Sequence, residues 1–180
     1  MSQILRPLDL PADRMDGDVV GVLFFEDERP LEGPAALLDW RMNGLLTRRI
    51  LSGQASGRRN EKILVDSNAK ILAPWVLFQG AGKLRDCDRD LWRRAVNELL
   101  QTAVEAGFSR MAICLAPGWQ ASADDVVGLV REELGHFKGR DIECLLSVDE
   151  RGRRHSEKGT QSAKGPDIND SQGSREKGIS

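Results

Sequence analysis

At 180 residues the chain has room for one domain with a true core, burying roughly 70% of the surface its unfolded form would expose. Residues 1–150 hold 19 Lys/Arg against 24 Asp/Glu, and residues 151–180 hold 7 against 4. An acidic body with a mildly basic end argues against nucleic acid as a partner, which needs a concentrated basic face.

Three scattered cysteines, Cys87, Cys114 and Cys144, do not make a disulfide framework and suit a reducing compartment. The first residues lack the apolar stretch of a signal peptide, and no apolar run approaches the ~20 residues of a membrane span. A cytoplasmic protein with no membrane contact is expected.

Taken in order, residues 2–10 are expected to form a short edge strand, limited by Pro7 and Pro11. The run 18–25, DVVGVLFF, is β-branched and apolar almost throughout and predicts a strand. Beyond a charged loop, Pro34 suits a first helical turn. Leu38, Met42, Leu45, Leu46 and Ile50 recur at helical spacing, and Gly53 suits the position past a last turn, so one helix over 34–52 is expected. The segment GQASGRRNE reads as a flexible, basic connection, 62–65 as a short strand, and 73–79 as a strand apolar on both faces in the middle of the sheet.

A helix over 88–106 presents Leu91, Trp92, Ala95, Val96, Leu99, Leu100, Ala103 and Val104 on one face and stops at Gly107. RMAICL at 110–115 is a second buried strand. Ser122 and Asp125 have the spacing of a capping box, with Asp in place of the usual Glu or Gln, ahead of a helix that ends at Gly135. A last strand covers 141–148. This alternation predicts a three-layer α/β domain over residues 1–149 with a mixed, mostly parallel central sheet. Residues 150–180 contain three aliphatic side chains, Ala163, Ile168 and Ile179, too few to offset the entropy of ordering, and are expected to be disordered.

Few residues offer chemistry. His136 follows a helix end, where a cation meets the dipole favourably, and His155 lies in the polar tail; neither has a metal-ligand neighbour at suitable spacing. Cys87 stands between Asp86 and Asp88, carboxylates that raise a thiol's pKa and so disfavour a nucleophile. No cofactor or metal is expected.

The turn Gly80-Ala81-Gly82-Lys83 has two readings. Its N–H groups and Lys83 would cradle a phosphate at a strand-to-helix turn. Yet Asp86, Asp88 and Asp90 come directly after it, and acids at a helix N-terminus more simply cap it and satisfy its dipole. Trp75 and Trp92 fit a core. Trp119, in the loop Pro117-Gly118-Trp119-Gln120, and Trp40, beside Asp39 and Arg41, are the aromatic side chains available to anchor a protein partner. Arg48, Arg49, Arg58 and Arg59 form a small basic group that reads as a solvated face.

Several of these residues carry a family resemblance. The run Leu38-Asp39-Trp-Arg-Met-Asn-Gly44, then Leu45-Leu46, Gly53, Gly57-Arg58, Glu61, the strand ending in Gly80-Ala81-Gly82-Lys83, and Arg93-Arg94-Ala95 resemble the N-terminal domain of the leucyl aminopeptidases, the M17 metallopeptidases. The similarity covers roughly residues 18–148. In that family the strand ends in a Gly-Leu-Gly-Lys-like turn, here with Ala81 in the middle.

The resemblance implies a macro-like α/β/α fold. It also implies that metal and catalytic residues belong to a larger C-terminal domain bearing an Asn-Thr-Asp-Ala-Glu-Gly-Arg signature, which this sequence lacks. No catalytic residue carries over. In the family the N-terminal domain chiefly supports assembly, and in some members it helps bind DNA. The expectation is therefore a non-catalytic relative acting through a protein partner or as a homo-oligomer. A macro-type module binding ADP-ribose or a related nucleotide at Gly80, Ala81, Gly82 and Lys83 is the alternative.

Overall fold

The computed structural model describes residues 3–115 and 121–148. Six strands form one sheet: β1 (Gln3–Leu8), β2 (Val19–Phe24), β3 (Lys62–Asp66), β4 (Trp75–Gly80), β5 (Arg110–Cys114) and β6 (Ile142–Ser147). Their spatial order is β1-β6-β5-β2-β4-β3. All neighbours are parallel except β3, which pairs antiparallel with β4 at one edge. Four helices, α1 (Gly33–Arg41), α2 (Leu45–Leu51), α3 (Arg89–Glu105) and α4 (Ala123–Leu134), cover the two faces.

Each face has its own core, as the two-residue side-chain period of a strand requires. On one side α1 and α2 bring Leu38, Met42 and Leu46 onto Val20, Val22, Phe24, Val76 and Phe78. On the other, Trp92, Val96, Leu99 and Leu100 of α3 and Val126, Leu129 and Val130 of α4 cover Leu77, Met111, Ile113 and Leu146. The sheet is thus the middle of three layers. Cys114 and Cys144 are buried in it, one on each side.

Four local expectations change. The helix over 34–52 is two helices, because Asn43 and Gly44 take left-handed conformations (φ 58° and 72°) that end α1 and start α2 afresh. The strand ending at Gly80 is not the middle of the sheet; β2 and β5 are, and β4 lies next to the edge strand. Its first residue, Trp75, is not a core residue: it is 37% exposed and leans on Phe108 with ring centroids 6.4 Å apart. The connection GQASGRRNE is not loose: the Glu61 carboxylate hydrogen-bonds it into the fold. By contrast, Asp88 caps α3 by accepting from Leu91 N, and Ser122 and Asp125 form the reciprocal capping box on α4. Trp119, His155 and the stretch 150–180 lie outside the described residues.

Candidate functional site

The C-terminal ends of β2 and β4 lie side by side, Phe24 opposite Gly80, and the chain leaving each meets the segment 56–61. In open α/β sheets such strand ends are the customary place for a ligand. Here Gly80, Ala81 and Gly82 are drawn into the protein's own hydrogen bonds. Gly80 N donates to Glu61 O at 2.7 Å, Ala81 N to Phe24 O at 3.0 Å and Gly82 N to Gly57 O at 2.8 Å. Gly82 O accepts in turn from Glu26 N at 2.8 Å.

Downstream, Leu84 N donates to Asp27 Oδ1 at 2.6 Å and Arg85 N to Oδ2 at 3.3 Å. The turn is closed by main chain on one side and by a carboxylate on the other. Lys83 is exposed at its rim.

The segment against it is held by Glu61. Its carboxylate accepts from the N–H groups of Ser56 at 3.0 Å, Gly57 at 2.8 Å and Arg58 at 3.2 Å, and from the Ser56 hydroxyl at 2.8 Å. Burial alone would push this carboxyl up. The Ser56 hydroxyl and the three N–H groups outweigh it and hold the group below its ordinary value.

Packing here admits no side chain. A Cβ on Gly80 would lie 2.1 Å from Arg58 O, and one on Gly57 would lie 2.5 Å from the Phe25 carbonyl carbon. Arg29 ties the same strand ends together, donating to Phe25 O at 2.6 Å and to Ser56 O at 2.9 Å.

Of the acids after the turn, Asp88 accepts from Leu91 N at 2.8 Å. Cys87 sits between Asp86 and Asp88; its own burial, then Asp27, Asp88 and Asp86, push its thiol up to about 11. His136 lies at the foot of α4 with Nδ1 3.2 Å from the buried Glu133 carboxylate, which also accepts from Asn97 Nδ2 at 2.8 Å. Arg59 pairs with Glu98 of α3 at 2.7 Å, whereas Arg48 donates to Asn43 O beside α2. The sheet therefore separates these arginines into different layers. Among the described residues no group of three or more His, Cys, Asp or Glu side chains is placed to hold a metal ion.

Trp40 stands apart from the turn, in the last turn of α1, and is 67% exposed. The Arg41 guanidinium lies 4.7 Å from its ring centroid and is itself anchored on the buried Asp13 carboxylate at 2.6 Å.

Sequence reasoning gave no structural role to Asp27 and Glu61, which build this end of the molecule, or to Asp39, which holds the start of α2. Each is an acid in a loop or at a helix end, and each accepts from main-chain N–H groups. A lone acid with Gly, Ser or Asn at short range is the available signal, as in Glu61 after Ser56-Gly57.

Residues 19–134 match the model of the cytosol aminopeptidase family, N-terminal domain. A probable cytosol aminopeptidase of Cyanothece sp. is 26% identical over 153 residues, covering 85% of this chain and 29% of that protein. One from Idiomarina loihiensis is 32% identical over 114 residues, 63% of this chain and 22% of that protein. The chain spans less than a third of the length of these relatives.

Among solved structures, a tomato leucine aminopeptidase variant superposes with TM-score 0.61 at 15% identity, covering 87% of this chain and 35% of that one. A Trypanosoma brucei macrodomain in complex with ADP-ribose gives 0.62 at 17%, covering 87% and 68%. These structural likenesses speak for the three-layer macro-like fold. By the match over 19–134, the chain belongs to the cytosol aminopeptidase family through its N-terminal domain.

Proposed function

We propose that this domain acts by protein contact, in assembly or regulation, and contributes no peptidase chemistry of its own. The observation that carries the reading is the closure of the strand-end turn. The N–H groups of Gly80, Ala81 and Gly82 are engaged by Glu61, Phe24 and Gly57, so the donors a phosphate would need are already bonded within the protein. Among the exposed apolar side chains is the large ring of Trp40, with a cation stacked beside it in the manner of an interface anchor. Trp119 remains a candidate of the same kind.

Light scattering on the eluting full chain tests the reading, together with a Leu-p-nitroanilide assay with added Mn²⁺ or Zn²⁺. Association with no turnover is the expected result. Metal-dependent hydrolysis by the pure protein would overturn it.

One observation favours a second reading: the shared fold with a macrodomain seen with ADP-ribose. On this reading Gly80, Ala81, Gly82 and Lys83 take a nucleotide phosphate, and the 56–61 segment has to move aside first. Calorimetric titration with ADP-ribose, with Gly82→Glu as control, decides it. Absence of heat at millimolar ligand removes the nucleotide.

A further inference from the structure

The two edges of the sheet are not alike. At one edge, β1 carries Pro7, which has no N–H to offer and interrupts any further pairing. At the other edge β3, Lys62-Ile63-Leu64-Val65-Asp66, pairs with β4 over five consecutive residues and contains neither proline nor bulge.

The bonds Gly80 N to Glu61 O and Ser67 N to Pro74 O, each 2.7 Å, flank this ladder and fix its alternation. Glu61, Ile63, Val65 and Ser67 turn their backbone groups toward β4, so Lys62, Leu64 and Asp66 turn theirs outward. Among the described residues nothing bonds to the outward N–H and C=O groups of Lys62 and Leu64, while Asp66 O accepts from Asn68 Nδ2 at 3.2 Å.

The same three residues share one face with Leu77 and Trp75 of β4, their cross-strand neighbours. Leu64 is 41% exposed there beside the partly exposed Trp75. A bulge-free edge whose Lys62 and Leu64 main-chain groups are unbonded, with an exposed leucine at its centre, is a template for another strand.

The segment is complementary to itself. Reversed and laid antiparallel about Leu64, it sets Leu64 opposite Leu64, and Lys62 opposite Asp66 twice over. The pairs that face each other in this register are the three whose backbone groups point outward. Leu64 can exchange two hydrogen bonds with its mate. In each Lys62–Asp66 pair Asp66 N donates to Lys62 O, while Lys62 N donates to the second lone pair of Asp66 O, beside the Asn68 bond. A shift by one residue would set outward-turned against inward-turned groups, as Leu64 against Val65, and separate the charges.

We propose that β3 is a homodimerisation strand, pairing antiparallel with β3 of a second copy of this chain about a two-fold axis at Leu64. The inference rests on the reading of the domain as one that acts by protein contact, and it names the partner and the surface.

Sedimentation equilibrium of the full chain over a dilution series tests it. The wild type is expected to dimerise, and Leu64→Lys, which sets like charges opposite each other at the axis, to be monomeric. Lys62→Glu and Asp66→Lys singly should each weaken the dimer about tenfold, and the double variant should restore it. Leu51→Lys, at an 81% exposed position on α2, should change nothing.

In the wild type, the Lys62 and Leu64 amides should gain hydrogen-exchange protection as concentration rises, a readout independent of any variant's folding. A wild type that is monomeric throughout, or a dimer without added protection at these amides, overturns the pairing. A dimer that survives Leu64→Lys overturns β3 as its surface but leaves assembly by another face intact. Turnover in the peptidase assay would remove the underlying reading instead.

Discussion

The carboxylate of Asp39 caps a helix it does not belong to: its Oδ1 accepts from Leu46 N at 2.7 Å and from Thr47 N at 3.2 Å, and its Oδ2 accepts from the Thr47 hydroxyl at 2.5 Å. The N-cap of α2 is Gly44, which has no side chain to serve its own helix. The acid at the end of α1 does so from across the break. This explains why Leu38-Asp39-Trp-Arg-Met-Asn-Gly44 hangs together: Asn43 and Gly44 reverse the chain, and Asp39 secures the first turn of α2.

Removal of that cap should be costly. Asp39 is buried, so Asp39→Ala leaves main-chain donors and the Thr47 hydroxyl without their acceptor, at about 2–3 kcal/mol. Thermal unfolding should shift down by about 5–10 °C, with Asp39→Asn losing less because it keeps one acceptor oxygen. An unchanged melting temperature for Asp39→Ala would show that the cap is not what stabilises α2.

Much of the fold was legible because its long elements announce themselves by period. The apolar face of α3, the box at Ser122 and Asp125, and the β-branched run of β2 each depend on residues close in sequence. What was not legible depends on distant partners. The place of β4 beside the edge is decided by β3 folding back antiparallel, and Trp75 is exposed because it opens that near-edge strand.

The candidate site shows the same division. The glycines of the turn were visible, but the reason for Gly80 is a carbonyl at Arg58, and no pattern within either segment states that they meet. The segment 56–61 looked loose by composition. Glu61, by accepting from three consecutive N–H groups, makes it firm.

Glycine substitutions should rank by what a Cβ would meet. Gly80→Ala collides with main chain at 2.1 Å and should cost more than about 3 kcal/mol or fail to fold. Gly82→Ala is strained by φ +85° but meets only the Arg59 side chain at 3.1 Å, and should cost about 1–2 kcal/mol. Gly128→Ala, inside α4 with open space around it, should raise stability by up to about 1 kcal/mol. Urea midpoints for the three give the order, and a Gly80→Ala protein as stable as Gly82→Ala would refute the closeness of Gly80 to Arg58.

Thiol labelling should separate the cysteines. The half-buried Cys87, at about 11, should alkylate slowly at pH 8, far slower than a free peptide thiol, while Cys114 and Cys144, buried and raised further, should label only on unfolding. Of the three carboxylates acting on Cys87, Asp27 acts most strongly, so Asp27→Asn should speed the labelling of Cys87 alone. Fast labelling of native Cys87 would contradict the environment described.

Stability should also depend on pH in two opposed ways. Asp16, Asp27, Glu61 and Asp125 have carboxyls held below their ordinary values, so what they contribute is present near neutrality and is lost as pH falls below about 4. Glu28 goes the other way. Burial, and then the neighbouring Glu32 carboxylate, push it up to about 7 from 4.5. Between those values the folded chain holds a proton that the unfolded chain has released, so stability declines as pH rises from about 4.5 to about 7. Glu28→Gln keeps a neutral side chain of the same shape throughout. Its urea midpoint should match the wild type near pH 4.5 and exceed it near pH 7.5, the gap opening across that interval. A gap that stays constant with pH would mean that Glu28 titrates like an exposed carboxylate, and that Glu32 and the surrounding loop do not enclose it.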